Sequence, residues 1–192
     1  MRTSLVGRLL GAALVGLLFG AGTSGAQVVD TSEPERIEVE ASGERVGGEA
    51  GGARIDCEEC RLLGKINKFR RQNGAKPLEL AADLNAAADH HSDDMARRDY
   101  FSHNLKGGPS WSANIRRFGY KSSPIGENIA AGPSGADGAF KLWKNSPGHR
   151  ENMLRESFEA IGIGRAFDRR SKYDWYWTTT FGGRIENKVN CG

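Results

Sequence analysis

Tyr173-Asp174-Trp175-Tyr176-Trp177-Thr178-Thr179-Thr180-Phe181 is the stretch that decides the fold class. Tyr173, Trp175, Trp177, Thr179 and Phe181 recur at every second position, and aromatic and β-branched side chains dominate. That period in residues of that kind reads as a strand. Upstream, Phe158, Ala160, Ile161 and Ile163 form a second such run, so the two read as the arms of a hairpin. Everything before this tail has helical spacing. Leu62, Leu63, Ile66 and Phe69 follow a capping-box-like start at Asp56 and Glu59 and stop at Asn73-Gly74. Pro77-Leu78 reads as a connector, and Leu84, Ala87, Ala88, His91 and Met95 mark a second helix. A third short helix is predicted from about Trp111 to Phe118, ending at Gly119. Ser134 is predicted to cap a fourth, which carries Phe140 and Trp143 on one face and stops before Pro147. Helices grouped against a small antiparallel sheet define an α+β class.

The N-terminus has the pattern of an export signal. Arg2 and Arg8 precede an apolar run from Leu9 to Phe19, and Ser24-Gly25-Ala26 fits a small-x-small cleavage site. Residues 1–26 are therefore read as a signal peptide, with Gln27 as the mature N-terminus. The apolar run is shorter than the ~20 residues that a membrane span needs, so no transmembrane anchor is expected. No Cys follows the run, which leaves a lipoprotein anchor without an attachment point, and Arg2 stands apart from Arg8, so there is no twin-arginine pair. Residues 27–56 hold eight acids against three arginines, a net of −5, with Gly43, Gly47, Gly48, Gly51 and Gly52 and almost no large apolar residue. Such a segment buries too little surface to offset ordering entropy and reads as a disordered linker. Residues 57–192 are long enough for one core and too short for two domains.

The chain carries a formal net charge of +3, so the basic surplus falls on the folded domain. Lys65, Lys68, Arg70, Arg71, Arg97, Arg98, Arg116, Arg117, Arg169 and Arg170 are scattered rather than gathered in one run, which reads as solvated surface. Nucleic-acid binding is not expected of an exported protein, whereas loose attraction to an anionic cell-surface polymer is compatible with this charge.

Four histidines and one glutamate are candidates for chemistry. His91 lies on the apolar stripe of the second helix and reads as a structural, hydrogen-bonding histidine, with His90 about 100° round the helix. His103 closes Tyr100-Phe101-Ser102-His103 in a loop past that helix. His149 follows a Pro147-Gly148 turn, which aims a helix N-terminus and an imidazole at one place. Glu127 sits in the apolar-flanked stretch Gly126-Glu127-Asn128-Ile129-Ala130, where it is either exposed or buried with partners. Ser102 beside His103 reads as a loop or capping serine.

The order of these segments resembles the CAP superfamily (cysteine-rich secretory proteins, antigen 5 and plant pathogenesis-related proteins), and most closely its short bacterial SCP-like branch. The matching text is His91-Ser92-Asp93-Asp94-Met95, Tyr100 to His103, Gly126 to Ala130, Trp143 through Pro147-Gly148-His149-Arg150-Glu151-Asn152-Met153-Leu154, Ile161-Gly162-Ile163-Gly164, and Trp177 to Gly182. The resemblance implies an α-β-α sandwich with a central cleft lined by two His and two acidic residues. His103, Glu127 and His149 match three of the four. The fourth position holds Ser146, and Lys144 and Asn145 beside it are not acids, which weakens any mechanism needing two carboxylates. The resemblance also implies extracellular work and makes lipid or sterol binding a candidate.

Cys57, Cys60 and Cys191 fit export, where a disulfide persists, and three thiols leave one over. The expected bridge runs from Cys57 or Cys60 to Cys191. A redox reading of Cys57-x-x-Cys60 lacks a βαβ context, and a zinc reading lacks a second pair. The leading functional expectation is a binding module, not an enzyme, whose cleft or adjacent groove holds a small apolar ligand or a cell-envelope component. One alternative is a metal-assisted hydrolase or peptidase using His103, Glu127 and His149, with Zn²⁺ or another divalent ion on His103 and His149. The other is an extracellular protein that contacts another protein or the wall. No cofactor is required by the binding reading.

Overall fold

The structure is a computed structural model, and it describes residues 55–192. The chain divides into two units, Met1–Asp30 and Thr31–Gly192, and every described residue belongs to the second. The segments read as a signal peptide and, up to residue 54, as a linker lie outside the described residues.

The first helix, α1 (Cys57–Gln72), begins on the capping box read from the sequence: Asp56 accepts from the Glu59 N–H and Glu59 accepts from the Asp56 N–H. Asp56 thus belongs to the helix cap. Strand β1 (Glu79–Leu80) is followed by α2 (Ala82–Arg98), whose Leu84, Ala87, Ala88, His91 and Met95 are all buried. Then come α3 (Trp111–Arg117), β2 (Ile125–Ala131), α4 (Ala136–Asn145), α5 (Pro147–Leu154), β3 (Ala160–Phe167) and β4 (Trp175–Gly182). The sheet order is β1-β3-β4-β2. The hairpin β3–β4 and the pair β2–β4 are antiparallel, and β1 adds a two-residue parallel edge.

Helices cover both faces of this sheet, giving an α-β-α sandwich. On one face α2 packs on β3 and β4, with Ser92 bonded to the Gly164 carbonyl and the Thr178 hydroxyl. The approach is so close that a Cβ on Gly164 would lie 2.3 Å from the Asp89 nitrogen, so only glycine fits there. On the other face Leu62, Ile66, Trp143, Met153, Ile161, Ile163, Trp177 and Phe181 join α1, α4 and α5 to the sheet.

Three local expectations need correction. Ser134 does not cap α4: the N-cap is Gly135, and the Glu58 carboxylate accepts from the Ala136 N–H in its place at 2.7 Å. Pro147-Gly148 is not a turn but the first residues of α5, with Pro147 at the position where its missing N–H is harmless. Arg70 is not a surface cation. It is fully buried and donates to the carbonyls of Lys76, Met153, Arg155 and Phe158, tying the end of α1 to the end of α5, and burial pulls its pKa down.

Candidate functional site

Glu127 is the hub. It stands on β2 facing α2, is 5% exposed, and accepts a hydrogen bond at each oxygen. His91 Nδ1 lies 2.7 Å from Oε2, and His103 Nδ1 lies 2.8 Å from Oε1. These bonds are what make a buried carboxylate tolerable.

The positions follow from the chain. His91 sits on the buried stripe of α2. Its Nε2 is 3.0 Å from the Ser102 carbonyl, which can only accept, so Nε2 carries a hydrogen. The bond to Glu127 then needs one further proton, held between Nδ1 and Oε2. His91 thereby pins the loop after α2 to the helix. Asp99 turns that helix off in a left-handed conformation (φ 47°), and the Tyr100 hydroxyl donates to Asp94. Ser102 accepts from the Asn104 N–H, the loop role read for it. His103 donates from Nδ1 to Glu127, which leaves the neutral ring with a free lone pair on Nε2, and its side chain is 41% exposed. His90 points elsewhere and lies against the Phe118 ring at 5.2 Å.

His149 reaches the same region from the other layer. It is the third residue of α5. Asn128, which faces opposite to Glu127 on β2, donates to the His149 carbonyl at 3.0 Å. Asn152 on α5 donates to the Glu127 carbonyl and to the Asn128 side-chain oxygen. Gly126 lets the Phe158 ring close on this edge, since a Cβ there would sit 2.9 Å from its Cζ. Burial, and then repulsion from His103 whenever that ring is protonated, lower the His149 pKa to about 4, so its ring stays neutral. Ser146 ends α4 and opens α5 without a side-chain cap, and supplies no acid.

The donor set can be tested against a resident metal. Catalytic zinc takes three protein ligands. Here His103 and His149 are two, and both Glu127 oxygens are engaged by imidazoles. Among the described residues no group of three His, Cys, Asp or Glu is placed to hold an ion. The residues present therefore fall short of a resident zinc site, and no step is derived through one.

A separate hollow of about 490 Å³ is lined by Asp56, Glu59, Asp89, His90, Asp93 and Arg165, among others. Burial, then repulsion from Asp89 and Asp56, pushes Glu59 up to about 8. Burial and Asp56 push Asp89 up to about 7. Both groups bind protons more tightly folded than unfolded, so their contribution is complete near pH 4 and is lost as pH rises toward 8. His149 acts oppositely: its contribution is complete above pH 6.5 and is lost as pH falls toward 4. Stability should therefore be higher at pH 5.5 than at pH 8, by about 2 kcal/mol, less than the sum of the two carboxyl shifts because one proton relieves both carboxyls and because His149 acts in the opposite direction. Urea unfolding at pH 5.5 and pH 8 checks this. Asp89→Asn should roughly halve the difference, and a protein more stable at pH 8 would contradict it.

A helix–sheet–helix sandwich in which one buried glutamate on the sheet joins two imidazoles is the class of protein that these features define. The chain belongs to the cysteine-rich secretory protein (CAP) family, whose model matches residues 63–181. It is 34% identical to protein YkwD of Bacillus subtilis over 110 residues, 57% of this chain and 43% of that one. It is 31% identical to the B. subtilis membrane protein YlbC over 123 residues, 64% of this chain and 34% of that one. Among solved structures it is similar to an extracellular SCP-domain protein of Bacillus anthracis (TM-score 0.58, 30% identity, 65% of this chain and 39% of that one). An outer surface protein of Borrelia burgdorferi shares the fold (TM-score 0.60, 22% identity, 70% of this chain and 99% of that one). The chain thus spans less than half the length of the curated relatives it matches. No helix among the described residues is long and apolar enough to cross a membrane.

Bonds from His91, Asn128 and Asn152 to Glu127 and to α5 were not foreseen. The signal for Asn128 was available: had residues 125–131 been read as a strand, its side chain would fall opposite that of Glu127.

Proposed function

We propose that the chain is an exported CAP-domain binding module that holds a cell-envelope component at the cleft of His103, Glu127 and His149. The observation that carries this reading is the state of Glu127. Both oxygens are occupied by imidazoles, so it orients rings instead of standing free as a nucleophile or base. The cleft presents the exposed His103 ring and a neutral His149, groups suited to hydrogen-bonding the hydroxyls and amides of an envelope polymer. Extracellular SCP relatives support the location. Co-sedimentation of the full chain with purified peptidoglycan sacculi, and separately with phosphatidylglycerol vesicles, tests it. We expect retention on sacculi, reduced about tenfold in the double variant His103→Ala/His149→Ala, as for loss of two hydrogen-bonding groups at a binding site. Equal retention of the double variant, or retention on vesicles alone, rejects the reading.

The free Nε2 of His103 beside a neutral His149 favours one second reading, loose capture of a divalent ion. Zn²⁺ should then bind on the order of micromolar, weaker than at three-ligand sites. Calorimetry at pH 7.5 in which the wild type binds no better than the double variant removes the ion and the metal-assisted hydrolase with it.

A further inference from the structure

Cys60 is bridged to Cys191 across a sequence separation of 131, while Cys57 is free and exposed. Cys57 is not an isolated thiol. It is the first residue of α1, and Cys60 lies three residues on, so the two are neighbours on one helix face. Helix geometry puts their Cα atoms about 5 Å apart, inside the ~4.4–6.8 Å that a disulfide spans. The helix turn that would tighten to bring the sulfurs together is the first one.

The Cys191 end of the bridge fastens a strap. Residues 187–189 lie along the free edge of β1: the Ala82 N–H donates to the Asn187 carbonyl, and the Val189 N–H donates to the Leu80 carbonyl. Ala81 and Lys188 form an antiparallel bridge, Lys188 pairs with Glu79, and Val189 packs against the core. The strap therefore covers the one edge of a two-residue strand that β3 leaves open.

We propose that Cys57, Cys60 and Cys191 form a thiol–disulfide exchange centre, in which Cys57 replaces Cys191 as the partner of Cys60 and unlatches the C-terminal strap. Cys57 gives its proton to solvent, and the thiolate attacks Cys60 Sγ. The Cys57–Cys60 bond forms as the Cys60–Cys191 bond breaks. The electron pair leaves on Cys191, which takes up a proton. One disulfide and one thiol stand on each side, so no oxidant or reductant is consumed. The product frees the Ala82 N–H, the Leu80 carbonyl and the apolar seat of Val189. That is an open sheet edge of the kind to which another strand adds.

The test uses the full chain at pH 8 without oxygen for about a day, since exchange between thiols and disulfides runs in minutes to hours. Exchange is stopped with acid, free thiols are labelled with a maleimide, and peptides are mapped without reduction. Exchange predicts label on Cys191 in at least about a tenth of the molecules, together with a peptide linking Cys57 to Cys60. In Cys57→Ser, Cys191 should carry no label, and carboxypeptidase should trim the C-terminus more slowly than in the wild type. Label confined to Cys57 overturns the proposal. So does label on Cys60, because a Cys57–Cys191 bridge would leave the strap fastened, and so does equal Cys191 label in Cys57→Ser.

Discussion

In a Cys57→Ser background, replacing Cys191 by Ser should lower the unfolding free energy of the domain by about 5 kcal/mol. The serine at position 57 leaves Cys60–Cys191 as the sole pairing, so the second substitution removes one bridge and nothing else. The argument lies in the unfolded state. A link across a separation of 131 removes most of the freedom of the two chain ends, and the chain-entropy relation gives about 5 kcal/mol for a loop of that size. Net stabilities of domains run to about 5–15 kcal/mol, so one bond carries a large share. A fall in melting temperature of roughly 15–20 °C follows for a domain of this length. The urea slope should also rise, since the unlinked chain exposes more surface on unfolding. A loss under about 1 kcal/mol would show that the linked unfolded chain is no more restricted than the free one, against the loop-closure account.

The two ends of the sandwich differ in how far the sequence disclosed them. Helix α1 was legible because its signals are local: Asp56 and Glu59 cap it, its stripe is Leu62, Ile66 and Phe69, and Asn73 ends it. Strand β4 was legible because Trp175, Trp177 and Phe181 alternate with polar residues. Strand β2 hid its period, since six of its seven residues are buried and both of its faces are covered. A strand of that kind loses the polar–apolar alternation. The cap of α4 was misread because its acceptor, Glu58, is 78 residues away from Ala136. Arg70 was misread for the same reason, as three of its four carbonyl partners lie more than 80 residues ahead. His103 and Glu127, which a hydrogen bond joins, stand out in the sequence through their motifs. What the motifs do not encode is that His91 shares the carboxylate. It sits on a helical face whose neighbours are all core, and only the fold brings β2 against it.

Trp143→Ala should cost about 3–5 kcal/mol. The side chain is fully buried among Leu62, Phe140, Met153, Trp177 and other residues of the larger core cluster. Its removal forfeits the transfer energy of the largest side chain and leaves a cavity that α4 fills only in part. A second loss comes from the indole N–H, which donates to the Ile129 carbonyl at 2.9 Å. That carbonyl would be left buried without its donor, a penalty of about 1–3 kcal/mol included in the total. Trp143→Phe separates the two terms, because it keeps most of the bulk and removes the donor, so it should cost about 1–2 kcal/mol. Ile129 is two residues along β2 from Glu127 and faces the same side of the sheet. Trp143 therefore anchors the strand that carries Glu127. Loosening it should release the loop held by His91 and His103. Amide exchange at Ser102 to Asn104 should accelerate in Trp143→Ala and change little in a variant equally destabilised on α3, such as Ile115→Ala. If the two variants lose the same stability and open this loop equally, the anchoring of the site by Trp143 is wrong, and the tryptophan is core filling only.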